Sequence, residues 1–446
     1  MLRIVLVTLA LILAPGAAAS GAEEPPFPVP DVKEWTLDNG LAVAYLGVHD
    51  APVVAVQVWY HVGSKDEPTG QRGAAHMFEH MMFKGSKRVP PERHARSIAG
   101  VGGVYNAFTR EDVTGYQQTI PRQQLDYAVA LEAERMRGLL FRKEMVDTER
   151  EVVKEELRQR IESSPVAKAF VRFREIAFTA HPYRFLPSGT KEDLDRLKPS
   201  DLKAFYDRYY QPNNAVLIVV GDVSEDEVKA AAQKHFGPIA RGPAVSRVAT
   251  PEPRQTQQRK ETAPAAQLGV IIGGYKTPPA KSDDTYPLQV LSAILSGGES
   301  SRLMRRVVRK DGVGVGAGGQ VWAFEDPGLF MVFGVYLQEA QAEKLEAAML
   351  DEIARLGREK VSEQELLKAR NQLTSTFVFG LENVDGLAEQ IGSSRLLRGD
   401  AKAWIGDYAR YQAVTADDVQ RVARQYLIAE NLTLVVIPPQ QQPGGK

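Results

Sequence analysis

The sequence predicts an α+β protein made of two similar domains joined by a linker. Three observations carry this. The chain has 446 residues, more than one hydrophobic core usually supports. A layout of helix, turn and strand occurs twice at one spacing, and strands mix with helices without the strict alternation of a doubly wound parallel sheet. The expected bounds are 28–237 for the N-terminal domain, 238–264 for the linker and 265–440 for the C-terminal domain. Hydrophobic (43%) and charged (25%) fractions are those of a globular chain. With 55 Lys and Arg against 56 Asp and Glu, the formal charge is -1, so no overall field draws the protein to nucleic acid. Cysteine is absent, which excludes disulfides and thiolate chemistry and leaves any metal to the seven histidines and the carboxylates.

Residues 1–22 read as an export signal. Arg3 precedes an apolar run over residues 4–13, then Pro15 and the small residues Gly16, Ala17, Ala18, Ala19 and Ser20, with cleavage near Ala19 or Ala22. The alternative is a retained anchor, but the run falls short of the roughly 20 residues that cross a bilayer. An exported, periplasmic protein with no membrane span after signal removal is therefore expected.

Residues 53–60 (Val53-Val54-Ala55-Val56-Gln57-Val58-Trp59-Tyr60) form the first clear strand. The next stretch, residues 74–83, has no Pro or Gly and reads as a helix carrying His76, Glu79 and His80. Histidines four apart share a helical face and can reach one ion. Glu79 lies on the neighbouring edge, where it can act as general base toward a water without ligating. The same five-residue pattern also arises in cores as two ordinary buried histidines.

A second helix is expected over residues 143–163. At 100° per residue it gathers Met145, Val152, Val153 and Leu157 on one face, with Glu149 and Glu156 inside that face. Carboxylates aimed into an apolar face need a cation or hydrogen bonds. A metal is one such cation and buried arginines are another. Either glutamate could complete a shell of two histidines and one carboxylate with an open position.

The repeat follows. Asp201, Tyr209 and Asn214 precede a strand at residues 215–220, and Asp418, Tyr426 and Asn431 precede one at 432–437, each pair 217 positions apart. Between them, residues 238–264 fill with Pro, Gln, Arg and Thr, and the next strand is expected at 268–273.

These blocks resemble the pitrilysin/insulinase family of zinc peptidases, in the half-length bacterial branch similar to the mitochondrial processing peptidase subunits. The resemblance spans nearly all of the chain after the signal. It rests on residues 76–85, on 102–109 (Gly102-Gly103-Val104-Tyr105-Asn106-Ala107-Phe108-Thr109), on 149–157 and on 297–303. It implies one zinc ion held by His76, His80 and Glu156, with Glu79 activating water and Glu149 supporting the site from behind. It further implies two domains of mainly antiparallel sheet backed by helices, only the first with metal. A peptide substrate would add as a strand along residues 105–109, making Asn106, Ala107 and Phe108 the expected substrate contacts.

One departure stands out. Relatives carry an Arg and a Tyr, seven apart, that engage substrate; here Val308 and Val315 align there and supply neither charge nor hydroxyl. The expectation is a metal-bearing subunit of a dimer, with a heterodimer formed with a similar chain supplying Arg and Tyr as the hypothesis. Two functions follow: an endopeptidase whose domains close over short or unfolded peptides across a mobile linker, or a non-catalytic scaffold of the same fold.

Overall fold

The computed structural model describes residues 30–247 and 250–440; the expected export signal lies outside them. The first half contributes β1 (Lys33–Thr36), β2 (Ala42–Gly47), β3 (Val53–Tyr60), β4 (Val104–Thr109), β5 (Thr114–Pro121) and β6 (Ala215–Gly221). Its helices are α1 (Ala74–Met81), α2 (Arg93–Gly100), α3 (Leu125–Gly138), α4 (Lys143–Leu157), α5 (Pro165–Ala177), α6 (Lys191–Arg196), α7 (Pro199–Tyr209) and α8 (Glu225–His235). The second half contributes β7 (Arg259–Thr262), β8 (Gly269–Lys276), β9 (Gly316–Trp322), β10 (Leu329–Tyr336) and β11 (Leu432–Ile437). With them come α9 (Thr285–Ser296), α10 (Ala342–Arg358), α11 (Glu363–Phe379), α12 (Val384–Arg398), α13 (Asp407–Ala413) and α14 (Ala416–Tyr426).

The sheets run β1-β2-β6-β3-β5-β4 and β7-β11-β8-β10-β9. Neighbours are antiparallel except for β2 with β6 and β7 with β11, so the two orders correspond strand for strand once β1 is set aside. The repeat extends to single hydrogen bonds. Asn214 Nδ2 donates to the carbonyls of Tyr209 and His61 at 2.9 and 3.1 Å, and Asn431 Nδ2 donates to those of Tyr426 and Lys276 at 2.8 and 2.9 Å. Asp201 and Asp418 accept the backbone N–H of Lys198 and Thr415, both at 3.0 Å, fixing where α7 and α14 begin.

Strands β3 and β6 are buried on both faces, which explains their continuous apolar runs. Val54, Val56, Val58, Leu217 and Val219 pack with Phe78 of α1 and Phe205 of α7. Trp59, Val216, Ile218 and Val220 point the other way, and what covers them comes from the second half: Leu387 and Ile391 of α12, Trp404 and Tyr408. The exchange is reciprocal, because Phe173 and Ile176 of α5 cover Ile272, Met331 and Val435 of the second sheet. Both approaches are close enough to require glycine. A Cβ on Gly392 of α12 would lie 2.8 Å from Trp59, and one on Gly274 of β8 would lie 2.6 Å from Phe173.

Two expectations about the linker are corrected. Residues 259–262 lie within it yet form β7, paired with Thr433, Leu434, Val435 and Val436 of β11. Their sequence Arg-Lys-Glu-Thr carries no apolar signature, because this outer strand needs only backbone bonds on one side. Nor is the junction a mobile hinge. Separating the halves would strip α12 from the first sheet and α5 from the second. It would also break a partly buried ionic node, in which Lys65 Nζ meets Asp112 at 2.8 Å and Glu325 and Asp326 of the second half at 2.6 and 3.2 Å. Such a node fixes orientation more surely than it adds stability.

Phe173→Ala is expected to cost about 3–5 kcal/mol. Because each half covers the other, far-ultraviolet circular dichroism and tryptophan fluorescence should report one shared urea transition, and resolved transitions for the two halves would contradict the exchange.

Candidate metal centre

Helix α1 begins at a sharp reversal. Gly73 has φ 93°, and a Cβ there would lie 2.9 Å from Leu194 and 3.1 Å from the Ser188 carbonyl. The first N–H groups are satisfied by Glu67, which accepts from Gly73 and Ala75 at 2.9 and 2.8 Å. Burial pushes the Glu67 carboxyl up to about 8, against the pull of those two donors and of Arg72. The helix closes at Met81, two residues before the expected end.

His76 and His80 stand one turn apart with ring centroids at 5.0 Å and planes at 87°. Their Nε2 atoms each lie 3.7 Å from a different oxygen of Glu156. The three residues offer ligand atoms within 4.8 Å of one another, the single such metal-capable group among the described residues. A tetrahedral zinc shell with bonds of about 2.0–2.1 Å keeps its ligand atoms about 3.4 Å apart, so these donors stand near ligating separation and beyond direct hydrogen bonding. Behind them, His80 Nδ1 faces Glu149 Oε2 at 3.6 Å, and Lys84 Nζ faces the other oxygen at 3.3 Å. That pairing orients the ring. His76 Nδ1 is buried without a hydrogen-bond partner.

Charge follows packing. Burial pushes His76 down to about 4, with His80 and Arg160 opposing a further positive charge, so the ring is neutral, the state that ligates. Burial also disfavours the charge on Glu149, but the nearby His80 ring and the Lys84 ammonium outweigh it and hold the carboxyl below its usual range. Two imidazoles and one carboxylate, with no thiolate, fit a catalytic rather than a closed structural zinc site.

The face of α4 differs from the expected one. Its buried stripe is Val146, Glu149, Val153 and Leu157, and Val152 is 42% exposed. Glu149 belongs to that stripe and is 4% exposed, whereas the Glu156 side chain is 31% exposed. The two glutamates therefore separate by depth: Glu149 lies behind His80, and Glu156 reaches the open side.

Glu79 Oε2 accepts a hydrogen bond from Thr109 Oγ1 at 2.9 Å. Burial raises the Glu79 pKa and the Thr109 hydrogen bond opposes the shift. A cavity of ≈ 310 Å³ opens over His76, Glu79 and Glu156, bounded by Ala107, Phe108 and Thr109 on one side and Leu157, Arg160 and Ile161 on the other. Strand β4 is the outer strand of its sheet, and Val104 is 62% exposed. Of the three expected substrate contacts, Ala107 and Phe108 line the cavity and Asn106 does not. Phe108 also packs edge-on against Trp59 at 4.8 Å. Val308 packs partly into the second core and Val315 is 49% exposed; neither lines the cavity. Thr109, Glu67, Lys84 and Arg160 were not singled out from sequence. Thr109 ends the block containing Asn106, and that position was its only signal.

Known proteins share this architecture. Residues 42–184 match the model of the insulinase family (peptidase family M16), and residues 196–373 match that of the peptidase M16 inactive domain. The second match lies beyond α1 and α4. A zinc protease of Helicobacter pylori, PqqE, is 30% identical over 420 residues, covering 92% of this chain and 94% of that protein. A probable mitochondrial-processing peptidase subunit beta of Arabidopsis thaliana is 27% identical over 432 residues, covering 92% and 79%. The crystal structure of a protease from Helicobacter pylori matches with a TM-score of 0.87 at 30% identity, covering 92% of this chain and all of that one.

Glu149→Gln is expected to weaken zinc binding by about 10–100-fold in competition with a chromogenic chelator; unchanged affinity would remove its orienting role. A second expectation concerns His94, buried against Phe83, whose pKa is pushed down to about 3 by burial and by Arg135. The folded value lies below the unfolded one, so its contribution is complete above pH 6.5 and is lost as pH falls toward 3. The urea stability of the His94→Phe protein should therefore fall less steeply over that window, the wild-type excess slope being at most about 1.4 kcal/mol per pH unit.

Proposed function

The chain belongs to the insulinase family, peptidase family M16, and on that premise we propose that it is a zinc-dependent endopeptidase hydrolysing short or unfolded peptides. The observation that carries this reading is Glu79, a partly buried carboxylate held by Thr109 beside two imidazoles and a carboxylate whose ligand atoms lie within 4.8 Å of one another. His76, His80 and Glu156 would hold one zinc ion, and Glu149 orients His80. Bound zinc supplies Lewis acidity, which lowers the pKa of water and polarises a scissile carbonyl. The chain's residues do the rest.

Glu79 takes the proton from the attacking water and passes it to the leaving amine; its raised pKa brings it closer to that task. The Thr109 hydroxyl occupies Oε2 and leaves Oε1 for the proton. The outer strand β4 would bind the peptide backbone as an added strand, which demands an extended segment and so favours unfolded substrates. With the halves interlocked, access is to a standing cleft rather than through closure of a hinge. Val308 and Val315 support pairing with a similar chain that supplies Arg and Tyr toward the developing negative charge. The apolar run near the N-terminus supports export to a periplasm.

Replacing Glu79 with Gln tests the reading. One zinc per chain should remain by elemental analysis, while hydrolysis of an unstructured fluorogenic peptide drops by about 10²–10⁴-fold. Hydrolysis at the wild-type rate would return the protein to a binding or scaffolding role.

A further inference from the structure

Beyond Leu157 the chain does not leave the helix but widens into a π-helical turn, Arg158–Glu162. Such a turn shifts the side chains that follow and often marks a functional site. Arg158 folds back on Glu155 through two hydrogen bonds of 2.7 and 2.6 Å, and Gln159 joins the same carboxylate at 2.7 Å. Arg160 and Ile161 instead line the cavity with His76, Glu79 and Glu156.

The guanidinium of Arg160 is weakly held. Among the described residues its ionic partner is Glu156, with Nη1 3.9 Å from Oε2, too long for a hydrogen bond, and the side chain is 74% exposed. Glu156 also faces both imidazoles, and with a dication between them its negative charge is taken up there. Arg160 then stands beside the general base as a cation without a dedicated anion. It is the one lining residue with a fixed positive charge, and Leu157, Ile161, Pro187, Ala107 and Phe108 around it are apolar. Lys84, the next cation near the site, is already paired with Glu92 at 2.8 Å and with Glu149.

Resting on the peptidase reading, we propose that Arg160 is a specificity-determining residue that pairs with a carboxylate of the bound peptide close to the scissile bond. The favoured substrates are then peptides with apolar residues and one such carboxylate, from an Asp or Glu side chain or from a nearby free C-terminus. A guanidinium offers a planar fork that matches a carboxylate through two parallel hydrogen bonds, which a lysine could not reproduce. The net charge of -1 provides no long-range pull, so the selection is local and weakens with added salt.

The test compares wild type, Arg160→Gln and Arg160→Glu, each zinc-loaded, on matched unstructured peptides with Glu, Gln or Lys beside the cleaved bond. Each peptide is made with a free and an amidated C-terminus. Wild type should favour Glu over Lys by about tenfold in kcat/KM, the size of one charge-assisted pair. The ratio should approach one in Arg160→Gln and invert in Arg160→Glu, with zinc content unchanged. An advantage that survives amidation assigns the side chain as the carboxylate source; one that needs the free acid assigns the C-terminus. The same peptides are titrated by fluorescence anisotropy against Glu79→Gln protein with and without Arg160→Glu. A binding preference that Arg160→Glu abolishes supports the proposal even if no peptide is hydrolysed, an outcome that would count against the peptidase reading alone. An equal Glu-to-Lys ratio in all variants, in turnover and in binding, overturns the role of Arg160.

Discussion

Two glutamates from α4 and two imidazoles from α1 are pressed against one another at the edge of an apolar core, and everything else in the first half serves to hold them there. Separations of 3.6–3.7 Å between imidazole nitrogens and carboxylate oxygens leave no hydrogen bond to relieve the crowding. The backbone fixes their placement. Gly73 allows α1 to start where Ser188 and Leu194 leave no room for a side chain, and Glu67 ties down its first N–H groups. On the far side Lys84 balances Glu149 at 3.3 Å, whereas on the cavity side Glu156 meets Arg160 only at 3.9 Å.

The second half bears on this arrangement without contributing a side chain to the cavity. Through α12, Trp404 and Tyr408 it seals the outer face of the sheet whose edge is β4, and the packing of Phe108 on Trp59 links that seal to the cavity wall. The duplication has thus diverged in chemistry while keeping its hydrogen bonds, as the matched donations of Asn214 and Asn431 show. Each half lends a helix to the other, so each sheet has one face covered by the other half.

Much of this was legible in the sequence, for definite reasons. His76 and His80 share a face because four residues make about one turn. The repeat was visible because Asp201, Asn214 and their counterparts make bonds that few other residues can make. The family blocks pointed to Glu156 where periodicity alone could not choose. The lending of α5 and α12 was hidden, since an apolar face does not declare which sheet it will cover. The stripe on α4 was misplaced because Val152 weighs as much as Val146 in a count of apolar residues, whereas packing chose Val146. Strand β7 escaped notice because three of its four side chains are charged and none is apolar. Thr109 reaches Glu79 from 30 residues away, and Glu67 caps α1 from six and eight residues before the N–H groups it binds, outside the usual capping spacing, so no local pattern announces either partner.

The reciprocal loan of helices has a bearing on biosynthesis. A ribosome delivers the first sheet long before the segment that shields Trp59 and Ile218, so a nascent chain of this protein carries an uncovered apolar surface until residues 384–408 have been made. Contacts this distant along the chain also slow the final collapse. Translation of the N-terminal half alone therefore yields an adhesive intermediate, and maturation waits for the segment that carries α12, Trp404 and Tyr408.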